Sequence, residues 1–126
     1  MKNYQENFHF YGMPDISYSS EFEILQIFFI GCGKENEEYC FSILYSQSSP
    51  VYIELNDQSY GCKEGIEKII LGQKQIRFQL NENGKNHIHY SEIIIDFDLE
   101  GDIIEYDVLK AELIKIFKDK ISESSQ

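Results

Sequence analysis

Basic residues are scarce in this chain. Eleven Lys and Arg stand against 22 Asp and Glu, a formal charge of −11 over 126 residues. Proteins that grip a nucleic-acid duplex neutralise its phosphates with clustered Lys and Arg, so nucleic acid is not expected as a direct partner. Cysteine is scarce as well. Cys32, Cys40 and Cys62 are odd in number and lack the spacing of metal ligands, which reads as reduced thiols in a cytosolic protein. No apolar run approaches the ~20 residues a bilayer crossing needs. The opening MKNYQENFHFYG lacks the apolar centre of a signal peptide. The expected compartment is the cytoplasm, with no membrane contact.

Catalytic arrangements are missing too. The glycines of GCGKE, from Gly31 to Glu35, have neither the spacing nor the Ser/Thr of a phosphate-binding P-loop. No Ser, Cys or His stands in a nucleophile motif. Two carboxylates can always be paired on paper in so acidic a chain, and without a pocket such a pair carries no information. The expectation is a protein that is not an enzyme and holds no cofactor.

What the chain has is aromatic and aliphatic bulk: 42% hydrophobic residues, nine Phe and nine Tyr. That is too apolar for disorder, favours sheet, and suffices for one domain over residues 1–126 without disulfide or metal staples. Residues 1–20 read as polar and partly irregular, with a short edge strand over Asn7–Tyr11 at most. Phe22–Ile30 reads as a strand whose two faces are both apolar toward its end, hence a central strand or one covered on both sides. Glu38–Gln47 alternates, with Tyr39, Phe41, Ile43 and Tyr45 on one face. Val51, Ile53 and Leu55 then oppose Tyr52 and Glu54, and Asn56–Ser59 breaks the strand.

Ile66–Leu71 and Lys74–Leu80 predict a hairpin around Gly72-Gln73. It sets Ile69 against Ile76, with a β-bulge near Glu67-Lys68 that brings Ile66 opposite Phe78. Asn81–Ser91 reads as a polar connector turning at Asn83-Gly84. Glu92–Leu99 is the last strand expected. Asp102 and Glu105 fit a capping box for a helix reaching about Ile121, with Tyr106, Leu109, Leu113, Ile116 and Phe117 as its apolar stripe. Residues 122–126 read as a frayed tail. The fold expected is α+β: a mainly antiparallel sheet of about six strands, with one C-terminal helix packed on one face.

Three stretches invite chemistry. His87-Ile88-His89 could set two imidazoles on one strand face, but no third ligand stands at a known spacing. Asp96–Asp107 places Asp96, Asp98, Glu100 and Asp107 at positions 1, 3, 5 and 12 of an EF-hand-like loop, with Gly101 at position 6. Glu100 is long for its position, Asp107 is short for a bidentate ligand, and a strand enters where a helix should. No metal is therefore expected, and a calcium- or ligand-binding module is an alternative. Glu92–Asp107 holds seven acidic residues and no basic one. Asp96, Asp98 and Glu100 alternate there as a second candidate docking surface for a basic protein.

Tyr52-Ile53-Glu54 followed by Asp57-Gln58 resembles bacterial immunity proteins of polymorphic-toxin systems, immunity family ten. So does Ile66-x-x-Ile69-x-Leu71 leading into Ile76-x-Phe78-x-Leu80, and so do the closing strand Ile93-x-Ile95-x-Phe97 and the Leu109–Phe117 helix. The likeness runs from about Phe22 to Phe117. It implies a small cytoplasmic α+β protein that binds a cognate toxin, in some cases a nuclease with a basic cleft, and blocks it stoichiometrically. The contact residues expected first are Tyr52, Glu54, Asp57, Gln58 and Tyr60. Acidic side chains would stand in for phosphates, and exposed tyrosines would act as anchors. A structural protein that pairs with its own copy, such as a homodimer, is a further alternative.

Overall fold

A computed structural model describes residues 4–33, 35, 37–99 and 106–124. Nine strands form a single sheet: β1 (Gln5–Ser19), β2 (Ile24–Cys32), β3 (Glu38–Ser46), β4 (Ser49–Leu55), β5 (Gly61–Lys63), β6 (Ile66–Leu71), β7 (Gln75–Leu80), β8 (Tyr90–Asp96) and β9 (Ile121–Glu123). Two helices accompany them, α1 (Glu82–Ile88) and α2 (Tyr106–Phe117). The strand order is β5-β4-β3-β2-β1-β8-β7-β6-β9. Neighbours are antiparallel except β1 with β8 and β6 with β9, which run parallel. The expectation of about six antiparallel strands and one helix is therefore wrong. The sheet is mixed and half as large again, and a second helix lies where a connector was expected.

The largest correction is β1. The residues read as irregular form the longest strand, and it sits in the middle of the sheet. Its inward positions include Phe10, Gly12 and Pro14, all buried. Glycine and proline on the buried face hid the alternation that marks a strand. Pro14 is tolerated because β1 changes partners along its length. Gln5–Tyr11 pairs with β8 and Tyr11–Ser19 pairs with β2. Beyond Tyr11 the strand is paired on one side only among the described residues, and a donor-less residue fits such an edge.

Partner exchange at β1 divides the sheet into halves that fold onto each other. Phe29 of β2 and Phe41 of β3 meet Phe78 of β7, with ring centroids 5.7 and 4.9 Å apart. Ile27, Ile43, Ile53, Ile69, Ile76, Ile93 and Ile95 fill the same interior with no exposed surface. Each such side chain contributes about 1.5–3 kcal/mol by leaving water. α2 adds Leu109, Leu113, Ile116 and Phe117 to that core, as its stripe predicts. Its expected capping box, Asp102 and Glu105, lies outside the described residues.

Glu64 and Gly65 link the edge strand β5 directly to β6, which lies next to the opposite edge strand β9. Glu64 takes a positive φ of 52°, and a Cβ on Gly65 would overlap the Cys62 sulfur. α1 is stitched to this crossing. Asn81 Nδ2 donates to the Glu64 carbonyl at 2.7 Å, and Asn83 Nδ2 to the Lys63 carbonyl at 2.8 Å. The Asn81 side chain also accepts from Gly84 N at 2.9 Å, capping the helix. Gly84, read as a turn residue, is in fact a buried helical position, where a Cβ would overlap the Gly65 carbonyl oxygen. The composition looked like a loop because the helix is short and its glycine serves close packing.

The β6–β7 hairpin closes between Gly72 and Gln75 around Gln73-Lys74. Ile69 therefore faces Phe78, and Leu71 faces Ile76, two residues along from the expected register. The bulge itself falls where it was expected, between Ile66 and Lys68, with Ile66 opposite Leu80. α2 stops at Phe117 because Lys118 adopts a positive φ of 54°. The expected frayed tail then forms β9, and Ser124 N donates to the Leu71 carbonyl at 2.8 Å.

Candidate partner-binding surfaces

β4 sends Ile53 and Leu55 into the core, so Tyr52 and Glu54 fall on the outer face of the sheet. The Tyr52 hydroxyl donates to Glu54 Oε1 at 2.9 Å. Partial burial, then this bond, pushes the phenol above its ordinary pKa. The Tyr52 ring lies against Gly61 of β5, where a Cβ would collide with it. Asn56 then turns the chain with a φ of 68°. Its backbone N–H donates to the Cys40 carbonyl at 2.8 Å, and its side chain accepts from Cys40 N at 3.1 Å.

Asp57 caps the single 3₁₀ turn that Gln58 opens, accepting from Ser59 N at 2.8 Å. Tyr60 ends the turn, 40% exposed, with its ring edge-on to His89 at 5.8 Å. It opens onto a cleft of about 450 Å³ that Phe8, Tyr90 and His89 also line. The five residues expected first thus lie within nine positions along one corner, but Tyr52 and Tyr60 look two ways. Tyr52 and Glu54 belong to the outer sheet face, and Tyr60 belongs to the end of the molecule beside α1.

The second group lies elsewhere. Asp96 projects from the outer face of β8 into a polar lattice. His9 Nε2 stands 2.6 Å from its Oδ2, and Gln75 Nε2 donates to its Oδ1 at 2.8 Å. Next to it, Arg77 donates twice to Glu92, both times at 2.9 Å, and Gln79 reaches the same carboxylate at 3.4 Å. These bonds to Glu92 raise the Arg77 pKa against the effect of burial. Asp98 is exposed just beyond β8, and Glu100 lies outside the described residues.

Half of the EF-hand-like loop, residues 100–105, also lies outside the described residues, and its first ligand position, Asp96, is already engaged. His87 does not join His89 on a strand: His87 Nδ1 bonds the Asn83 carbonyl at 2.8 Å within α1, and His89 caps that helix in the left-handed region. Among the described residues, no group of three or more His, Cys, Asp or Glu could hold a metal ion. No described helix is long and apolar enough to cross a membrane.

A third surface was not singled out from the sequence. On the outer face of β1, β2 and β3 stand Tyr11, Met13, Phe28, Ile30 and Leu44. Tyr11 is 48% exposed and Ile30 is 54% exposed, while the other three are half-buried. The register sets Met13, Ile30 and Cys40 in one row across the strands, and Asp15, Phe28, Ser42 and Glu54 in the next. The signal that could have found this face was the apolar content of both sides of β2. That content fits a central strand and one covered on both sides equally well.

Comparison with known proteins finds no matching family model, no similar curated protein and no similar solved structure.

Proposed function

We propose that this protein is an immunity protein that binds and inhibits a cognate bacterial toxin, one to one and without catalysis. The observation that carries the reading is the corner from Tyr52 to Tyr60. It holds the exposed Tyr60, the half-buried Tyr52 and two carboxylates, Glu54 and Asp57, that have no ion-pair partner among the described residues. Four of the chain's cations, Arg77, Lys85, Lys110 and Lys115, are meanwhile already paired with glutamates. Unneutralised acid beside an exposed aromatic ring suits a basic protein partner, whose approach it steers and whose pairing it makes selective. The stretch that resembles immunity family ten, Tyr52-Ile53-Glu54 with Asp57-Gln58, is this same corner.

The inhibitor would occupy a basic cleft on the toxin with carboxylates in the places of phosphates. The cytoplasm is the compartment this role requires. Co-expression tests it. Cells carrying the toxin domain encoded immediately upstream of this gene should survive when the protein is present and die when it is absent. Survival unchanged by the protein would refute the reading.

A further inference from the structure

The outer face of β1–β3 is an unpartnered apolar surface built into a strongly acidic molecule. Here β2 carries Phe28 and Ile30 outward, while Leu25, Ile27 and Phe29 fill the core. A strand apolar on both sides is normally covered on both sides, but the described helices pack elsewhere. α1 sits on the β5–β6 crossing, and α2 packs its stripe into the core. The half-buried Met13 and Phe28 flank the open Ile30, Leu44 lies two rows further along the same face, and Tyr11 stands at the border, its hydroxyl turned to the Met13 sulfur at 3.6 Å.

Charge decides what kind of molecule covers this surface. The outward positions of β1 to β5 include the carboxylates of Asp15, Glu38 and Glu54. Against them stand only Lys63, at the β5 edge, and His9, which is bonded to Asp96. A second copy of this chain docked symmetrically would bring these carboxylates against their own equivalents. A basic protein would meet them with opposite charge. The apolar face is also continuous with the Tyr52–Tyr60 corner, since Leu44 pairs with Tyr52 and Ser42 pairs with Glu54.

We infer that the outer face of β1–β3 is the centre of the interface for a basic protein partner, with Ile30 and Phe28 as its anchors and Asp15, Glu38 and Glu54 as its rim. This rests on the immunity reading and places the contact beyond the corner that the sequence singled out. The partner's matching surface has an apolar centre ringed by Lys and Arg. A desolvated centre with a charged rim is where a few residues carry most of the affinity.

Titration calorimetry against the purified toxin domain encoded upstream separates the possibilities. Ile30→Glu should weaken binding at least about thirty-fold, with its melting temperature unchanged because Ile30 is largely in water already. Asp15→Lys with Glu38→Lys should slow association and reduce its dependence on salt. Full-affinity binding by Ile30→Glu together with lost binding by Tyr60→Ala would overturn this placement and leave the immunity reading intact. Absence of binding by the wild-type protein would overturn both. Sedimentation showing a homodimer that Ile30→Glu dissociates would assign the face to a second copy instead, which also overturns the proposal.

Discussion

The two outer faces of this one sheet solve the same problem in opposite ways. On β7 and β8, polar side chains face outward and satisfy one another: Asp96 with His9 and Gln75, and Glu92 with Arg77 and Gln79. On β1–β3 the large apolar Tyr11, Met13, Phe28, Ile30 and Leu44 face outward among small and polar neighbours such as Ser42 and Gln26, and the nearby carboxylates Asp15 and Glu38 have no ion pair among the described residues. Acidity in the sequence is therefore a poor guide to which carboxylates are left without a partner. The carboxylate-rich β8 region looked the more inviting, yet its bonded carboxylates would have to exchange existing partners for new ones. A carboxylate without a partner beside exposed apolar surface has nothing to give up.

Both faces depend on the interior they share. Phe78→Ala, which removes the ring between Phe29 and Phe41, should cost about 3–5 kcal/mol in urea unfolding and weaken both faces together. Retention of wild-type stability would mean that the halves do not depend on this packing. Gly84→Ala comes next. In an ordinary helix that change stabilises by up to about 1 kcal/mol. Here it should destabilise by roughly 1–3 kcal/mol, because the new methyl meets the Gly65 carbonyl.

The contrast between the faces is sharpened by a matched pair of substitutions. Arg77→Ala should lower stability by about 1 kcal/mol, since it leaves the Glu92 carboxylate, whose side chain is only 13% exposed, without its cation. Ile30→Glu should move stability by no more than about 0.5 kcal/mol while abolishing tight binding. If Arg77→Ala impaired binding and Ile30→Glu impaired folding, the roles assigned to the two faces would be reversed.

The smallest effect belongs to the sheet edge. Lys110 Nζ lies 2.8 Å from Glu123 Oε1, and the Tyr106 hydroxyl donates to the same oxygen at 3.0 Å. The Lys110 bond first, then that of Tyr106, holds the Glu123 carboxyl below the ordinary range. Burial first, then the Glu123 bond, pushes Tyr106 up to about 12. A depressed carboxyl stabilises the fold above its unfolded pKa, and that contribution disappears as pH falls through the folded value. A raised phenol does the reverse, and its contribution disappears as pH climbs toward its folded value. Glu123→Gln should therefore melt slightly below wild type at neutral pH and converge with it on acidification. A difference that persisted in acid would show that the pairing does not act through this charge.

Where alternation is clean, the sequence is legible. Tyr39, Phe41, Ile43 and Tyr45 lie on the inner side of β3, and Ile93, Ile95 and Phe97 do so on and just beyond β8. The bulge near Glu67 was also readable, although the residue it keeps from facing Glu67 is Leu80 and not the expected Phe78. Three strands and a helix were not legible, each for a physical reason. In β1, Gly12 and Pro14 occupy buried positions and break the pattern. β5 and β9 have only three residues each, too few to show a period. Gly84 looked like a chain breaker, whereas its missing side chain lets α1 approach the Gly65 backbone. The corner from Tyr52 to Tyr60 was recognisable as surface. The apolar outer face was not, since two-sided apolarity in β2 does not say which side the chain itself leaves open.

The parallel pairing of β1 with β8 also sets an order of assembly. His9 and Asp96 lie 87 positions apart in the chain, so the Gln5–Tyr11 part of β1 stays unpaired on that side until β8 has been made. Contacts of such long range make folding slow, and the waiting strand presents an open edge in the meantime. A nascent chain stopped before Tyr90 would have β1–β4 available but nothing to hold them against β7. The two halves of the sheet then close together or not at all.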